Sequence, residues 1–199
     1  MKSFFAKPYI KCVFVIFIIA TLLGGLLALL NDLLFVTAEE RTMRAVKKIY
    51  GKEMNYSIEL DVDVDGEAIT YQEFGSISKI YLVGNNTATE YDMLFKSTGI
   101  NGFKGGKVTC WTQVKFANGK YSIERVILES FDKQTFMSKL GDSYYKNFNL
   151  VDVTKEYNDG KIFSATDENM IYNPVSGATK SATAGNNAIN CVLKYLGEK

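Results

Sequence analysis

The sequence predicts an α+β protein: an N-terminal transmembrane helix and a stalk helix, then an antiparallel-rich β domain closed by a C-terminal helix. Three observations predict it. Residues 12–30 read CVFVIFIIATLLGGLLALL, an unbroken uncharged run. Residues 108–128 set Asn118-Gly119 between two β-rich runs, the mark of a type I′ hairpin. Ala184, Ala188, Ile189, Val192, Leu193 and Leu196 recur at helical spacing and line one face near the C-terminus.

The apolar run is 19 residues long. At about 1.5 Å per helical residue it approaches the ~30 Å thickness of a bilayer core. Lys2, Lys7 and Lys11 precede it and Asp32 follows. The domain plan is a cytoplasmic N-terminus over 1–11, an anchor over 12–36, a stalk helix over 37–51 and an extracytoplasmic domain over 52–199. A cleaved signal peptide is the rival reading, with Val36 and Ala38 at the small-residue positions before Glu39. Signal cores usually run about 7–15 apolar residues, and this run is longer. Basic residues flank both ends, so the positive-inside rule does not decide orientation; the acidic Asp32, Glu39 and Glu40 favour an outer C-terminal side. Behind the span, Met43, Val46, Ile49 and Tyr50 give a helix with an apolar stripe for the domain, which Gly51 ends.

The domain opens with Ile58, Leu60, Val62 and Val64 alternating with Glu59, Asp61, Asp63 and Asp65, a strand pattern with a solvated acidic face and a turn at Asp65-Gly66. The same letters resemble a calcium loop, but Gln72 stands where such a loop needs its bidentate glutamate. Strands follow at 77–83 and 90–96 across Gly84-Asn85-Asn86, then a glycine-rich bend, GFKGGKV over 102–108, leads into the hairpin. Residues 132–147 read as short helix or irregular chain, and Asp159-Gly160 as a turn. The last helix spans 178–196.

Composition removes several functions. The chain has no histidine, which excludes Ser-His-Asp and Cys-His nucleophile systems and histidine-ligated zinc or haem within it. Its three cysteines include Cys12 in the span; Cys110 and Cys191 cannot hold an iron–sulfur cluster by themselves. They read as small buried hydrophobes, with a disulfide the alternative. Net charge is +1, with no basic stripe interleaved with aromatics, so nucleic acid is not an expected partner.

One short stretch carries chemistry. Ser176-Gly177-Ala178-Thr179-Lys180-Ser181 stands at the start of the last helix, where unpaired N–H groups and the positive dipole end favour an anion. Gly177 permits a sharp turn, Thr179 and Ser181 offer hydroxyls, and Lys180 adds charge. The plainer reading makes Ser176 an N-cap and the rest ordinary first-turn residues.

The stretch Asn173-Pro174-Val175-Ser176-Gly177-Ala178-Thr179-Lys180-Ser181 resembles the flavin-attachment motif Asp-x-x-Ser/Thr-Gly-Ala-Thr-x-Ser/Thr. That motif marks the FMN-binding domains of the Rnf complex G subunit and the sodium-pumping NADH:quinone reductase C subunit. Here Asn173 stands in place of the motif aspartate. The resemblance implies FMN joined through its phosphate to Thr179 by a phosphodiester bond, made by a flavin transferase that uses FAD. It places Asn173, Ser176, Gly177, Ala178, Lys180 and Ser181 around the cofactor.

The run LLGGLLALLNDLLFVTAEE is also similar to the Rnf G subunit's membrane segment. The order of glycine-rich bend, hairpin and VILES follows that subunit as well. In the family, Glu-Thr-Pro-Gly-Leu-Gly then forms a loop near the flavin; here the place reads ESFDKQTFMSKLG over 129–141.

The implied function is an outward-facing electron carrier in the cell membrane, working with other subunits of an Rnf-type ferredoxin:NAD⁺ oxidoreductase or a related chain. The flavin would supply the redox chemistry and the protein its position. Two alternatives stand beside it: an anchored, non-catalytic assembly domain without covalent flavin, and noncovalent FMN or another phosphate ligand at the same helix end. Trp111, Tyr144, Tyr145 and Tyr172 are the aromatic candidates for stacking on a flavin ring.

Overall fold

The computed structural model describes residues 8–34 and 36–199. It divides after Thr42 into two compact units. In the first, α1 (Pro8–Leu34) is the one helix among the described residues that is long and apolar enough to cross a membrane, with mean hydropathy 2.9 over Lys11–Asn31. Every side chain of that stretch is exposed, Leu22, Leu27 and Leu29 by more than two thirds. Such a continuous apolar surface suits lipid better than water.

Val36 and Thr37 lie outside any helix, so the span does not run on unbroken into the next one. α2 (Ala38–Tyr50) starts with a capping box: the Glu40 N–H donates to Thr37 Oγ1 at 3.1 Å, and the Thr37 N–H to Glu40 Oε2 at 3.3 Å. Glu39 and Glu40 in its first turn and Lys47 and Lys48 in its last complement the helix dipole. Gly51, at φ 75°, ends it.

The second unit follows in chain order: β1 (Tyr56–Asp61), α3 (Val62–Asp65), β2 (Ile69–Tyr71), β3 (Gly75–Val83), β4 (Glu90–Gly99), β5 (Val108–Ala117), β6 (Lys120–Phe131), α4 (Asp142–Lys146), β7 (Val151–Asp152), α5 (Val153–Asn158), β8 (Phe163–Ser164), β9 (Ile171–Tyr172) and α6 (Thr179–Gly197). β1 to β7 form one antiparallel sheet in the order β1-β3-β4-β5-β6-β7, with β2 also paired to β3. β8 and β9 form a separate parallel pair. The β5–β6 turn has Asn118 at φ 54° and Gly119 at φ 76°, the two left-handed residues a type I′ hairpin needs.

Alternation along the strands divides the sheet between two apolar clusters. Tyr81, Val83, Leu94, Trp111 and Ile127 pack with Ala45, Val46 and Ile49 of α2. Their neighbours Ile80, Phe95, Cys110 and Val126 belong to the larger cluster with α6. The helix lies against β4 at Gly99, where an added Cβ would come within 2.0 Å of the Ala184 carbonyl oxygen. Ala184 and Ala188 supply the small surface for this backbone-on-backbone contact.

One element differs from the sequence expectation. The alternating run ends as a strand at Asp61, and Val62–Asp65 form a helical turn. The Asp61 carboxylate caps it by accepting from the Asp63 N–H at 3.0 Å, while the Asp65 carboxylate accepts from the Asp61 N–H at 2.8 Å. Asp61 is not on a solvated face. It is buried, receives Lys79 Nζ at 2.8 Å and the Tyr81 hydroxyl at 2.9 Å, and Val64 is exposed instead. Local side-chain capping and a charge partner directly opposite on the neighbouring strand β3 outweigh the period-2 pattern.

Candidate functional site

The segment leading to α6 is held by amides. Asn173 is 3% exposed. Its N–H donates to the Ser164 carbonyl at 2.7 Å, its Oδ1 accepts from Asn147 Nδ2 at 2.9 Å, and its Nδ2 donates to Asn186 Oδ1 at 3.2 Å. The Tyr144 hydroxyl reaches both Asn186 Oδ1, at 2.9 Å, and the Ala182 carbonyl, at 3.0 Å. Further along α6, Asn190 pairs with both the N–H and the carbonyl of Phe163, at 2.8 and 2.9 Å. A row of helix amides therefore stitches the segment 163–173, with its short strands β8 and β9, to α6, satisfying backbone groups that those strands leave open.

After Asn173 the chain turns over Val175–Ala178, closed by the Ala178 N–H on the Val175 carbonyl at 3.1 Å. Gly177 sits third in the turn at φ 70°, the place where a type II turn needs glycine. An added Cβ there would lie 2.6 Å from Lys139 Nζ, the far end of an exposed side chain that can move aside, so the positive φ is what favours glycine. Lys139 Nζ donates to the Ser176 carbonyl at 3.1 Å and lies 5.7 Å from the Phe136 ring centre. Ser176 does not cap α6: the cap position is Ala178, without a side-chain hydrogen bond.

The motif residues separate by environment. Ser176, Gly177, Thr179 and Lys180 are exposed, whereas Asn173, Ala178 and Ser181 are buried. The Ser181 hydroxyl donates inward to Gln134 Oε1 at 2.8 Å. Thr179 is the exposed motif threonine at the helix start, where first-turn N–H groups have no intrahelical acceptor. Lys139 and Lys180 add positive charge to that end.

The 129–141 segment lies beside this turn through Lys139 and Gln134. It also forms, with the glycine-rich bend, a cleft of about 430 Å³ lined by Phe103, Lys104, Phe131, Lys133 and Gln134. Of the aromatic candidates for a ring partner, Trp111, Tyr144 and Tyr145 are core side chains, no more than 4% exposed, and only Tyr172 is open at 46%. Two further rings of the 129–141 segment are exposed: Phe131, at 51%, lines the cleft, and Phe136, at 45%, lies under Lys139. Sequence reasoning passed over them, together with Gln134 and Lys139; two phenylalanines in the polar stretch 129–141 were the available signal.

Cys110 and Cys191 are buried free thiols, and burial pushes both up to about 12. They are protonated packing groups, not thiolate nucleophiles. No group of acidic, histidine or cysteine residues suited to a metal ion occurs among the described residues. Comparisons of the chain with protein-family models, curated proteins and solved structures found no match.

Proposed function

We propose that this chain is a membrane-anchored flavoprotein electron carrier in the cell membrane, with a single span and an extracytoplasmic C-terminal domain. FMN is attached to Thr179 through a phosphodiester bond. The chain serves as a redox subunit of an Rnf-type ion-translocating electron-transport complex, or of a related extracytoplasmic chain. The observation that carries the reading is Thr179 itself, an exposed hydroxyl on the first residue of a 19-residue helix, inside an SGATKS motif and after a glycine turn. In the attachment step the Thr179 oxygen bonds to the FMN phosphorus of FAD. The diphosphate bond breaks, AMP leaves, and the hydroxyl proton passes to solvent or to the transferase.

The chain's own groups suit the product. The remaining phosphodiester charge would sit at the helix N-terminus with Lys139 and Lys180 close in the fold or sequence. The neighbouring cleft offers Phe103 and Phe131 to a planar ring. The bound flavin supplies one- and two-electron chemistry; this chain holds it and joins donor and acceptor subunits.

Asn173 supports a second reading, an assembly domain without covalent flavin, because it is a buried amide where the related motif carries a carboxylate. The deciding experiment is intact mass and denaturing-gel flavin fluorescence on the full chain coexpressed with a flavin transferase. The wild type should carry one FMN, and Thr179→Val should carry none while unfolding at the same temperature. An unmodified wild-type chain under these conditions favours the assembly domain.

A further inference from the structure

Gln134 is a buried side chain on an exposed loop. Asp132, Lys133, Thr135 and Phe136 are open to solvent, whereas Gln134 retains 8% exposure. Its amide joins three separate parts of the chain. Oε1 accepts from the Phe103 N–H at 3.1 Å and from the Ser181 hydroxyl at 2.8 Å. Nε2 donates to the Asp132 carbonyl at 2.8 Å, with the Phe103 carbonyl at 3.5 Å. The glycine-rich bend packs tightly here: an added Cβ on Gly102 would lie 2.6 Å from both Nε2 and the Gly106 carbonyl oxygen, and one on Gly106 would lie 2.4 Å from Nε2 and nearer still to the Asp132 carbonyl oxygen.

We propose that Gln134 is the positioning residue of the attachment turn, holding Ser181 inward so that the Thr179 hydroxyl is presented outward to its phosphoryl donor. The reason is rotational. Residues two apart on an α-helix are separated by about 200°, so a first turn latched at Ser181 faces Thr179 away from the body. The first turn of a helix has few internal hydrogen bonds and frays unless something outside holds it. Ser181 is 2% exposed, so its hydroxyl serves this latch and not the ligand. Lys139, five residues beyond Gln134, makes the second tie from the same loop, to Ser176. The three strings GFKGG, DKQT and SGATKS thus act as one unit. This inference rests on the covalent-attachment reading for its function, while the latch has a readout of its own.

The test uses the purified full-length chain in detergent as substrate for a flavin transferase with FAD, comparing wild type, Gln134→Met, Ser181→Ala and the double variant. Each single variant should lower kcat for flavin transfer by about five-fold or more, with KM for the chain within two-fold, as a misdirected nucleophile would. Because the Ser181 hydroxyl's contact with Gln134 is already lost in Gln134→Met, the double variant should be no slower than the slower single. Unchanged kcat in the singles, or effects that multiply in the double, overturns the proposal.

Amide hydrogen exchange separates failure of the latch from failure of the flavin reading. Ala182, whose N–H bonds the Ala178 carbonyl at 2.9 Å, and Thr183 should exchange about ten-fold faster in Gln134→Met, with Leu193 unchanged. If the wild type accepts no flavin, the attachment reading falls, and this exchange alone decides the latch; equal exchange at Ala182 and Thr183 overturns it.

Discussion

At Asn173 the difference between an amide and a carboxylate is a matter of donors. The Asn173 Nδ2 supplies a proton to Asn186 Oδ1, which also faces the Tyr144 hydroxyl. A carboxylate would set oxygen against oxygen, and turning Asn186 to answer it would leave Tyr144 with the Ala182 carbonyl alone and take the Nδ2 donor from the Asn173 carbonyl. We expect Asn173→Asp to lose about 1–3 kcal/mol at neutral pH, the cost of one unsatisfied buried polar group. Burial would raise the new carboxyl's folded pKa above its unfolded value, so the neutral form is favoured and the deficit relative to wild type shrinks as pH falls towards 4. Urea unfolding at pH 4.5 and 8 measures this directly. Its flavin content is a separate result: FMN on Asn173→Asp alone would identify the natural chain as an assembly domain.

Among the elements, α6 has the strictest fit. At Gly99 a methyl group would have to enter between the backbones of β4 and α6, 2.0 Å from one carbonyl oxygen and 2.3 Å from the Ala188 nitrogen. Gly99→Ala should therefore cost about 3 kcal/mol or more, seen as a lower urea midpoint. The helix itself was legible because Ala184, Ala188, Val192 and Leu196 repeat its period. So was the hairpin, since Asn118-Gly119 imposes its turn locally. The strand through Val64 was misread because Asp61, Asp63 and Asp65 look solvated in sequence, while Lys79 and Tyr81 come to Asp61 only after β1 pairs with β3. Phe131 and Phe136 were illegible as surface residues for the same kind of reason: periodicity assigns faces within an element, and Phe131 is the last residue of β6 while Phe136 lies outside any strand or helix.

At the scale of the whole domain, a pH response follows from the buried Asp61. Burial pulls its carboxyl upward, but hydrogen bonds from Lys79, the Asp63 amide and Tyr81 outweigh that and hold it below the ordinary carboxylate range. A folded pKa lower than the unfolded one contributes stability above about pH 4 that is lost as pH falls through the folded value. The domain should weaken on acidification below about pH 4. Asp61→Asn should flatten that decline and cost about 3 kcal/mol at pH 7, because Lys79 would remain buried with one partner fewer. Thermal melts of both proteins from pH 3 to 7 check the sign.

The sequence by itself determined the apolar first helix, the antiparallel hairpin, the final helix and the motif around Thr179, since each depends on neighbours within a few residues. Tertiary structure decided which motif side chains face solvent: Asn173 and Ser181 turn inward because Asn147, Asn186 and Gln134 meet them there. It also placed Lys139 over Gly177 and put α2 and α6 on separate clusters of the same sheet. Those contacts join residues distant in the chain, so hydrogen-bond satisfaction and packing selected them where local pattern could not.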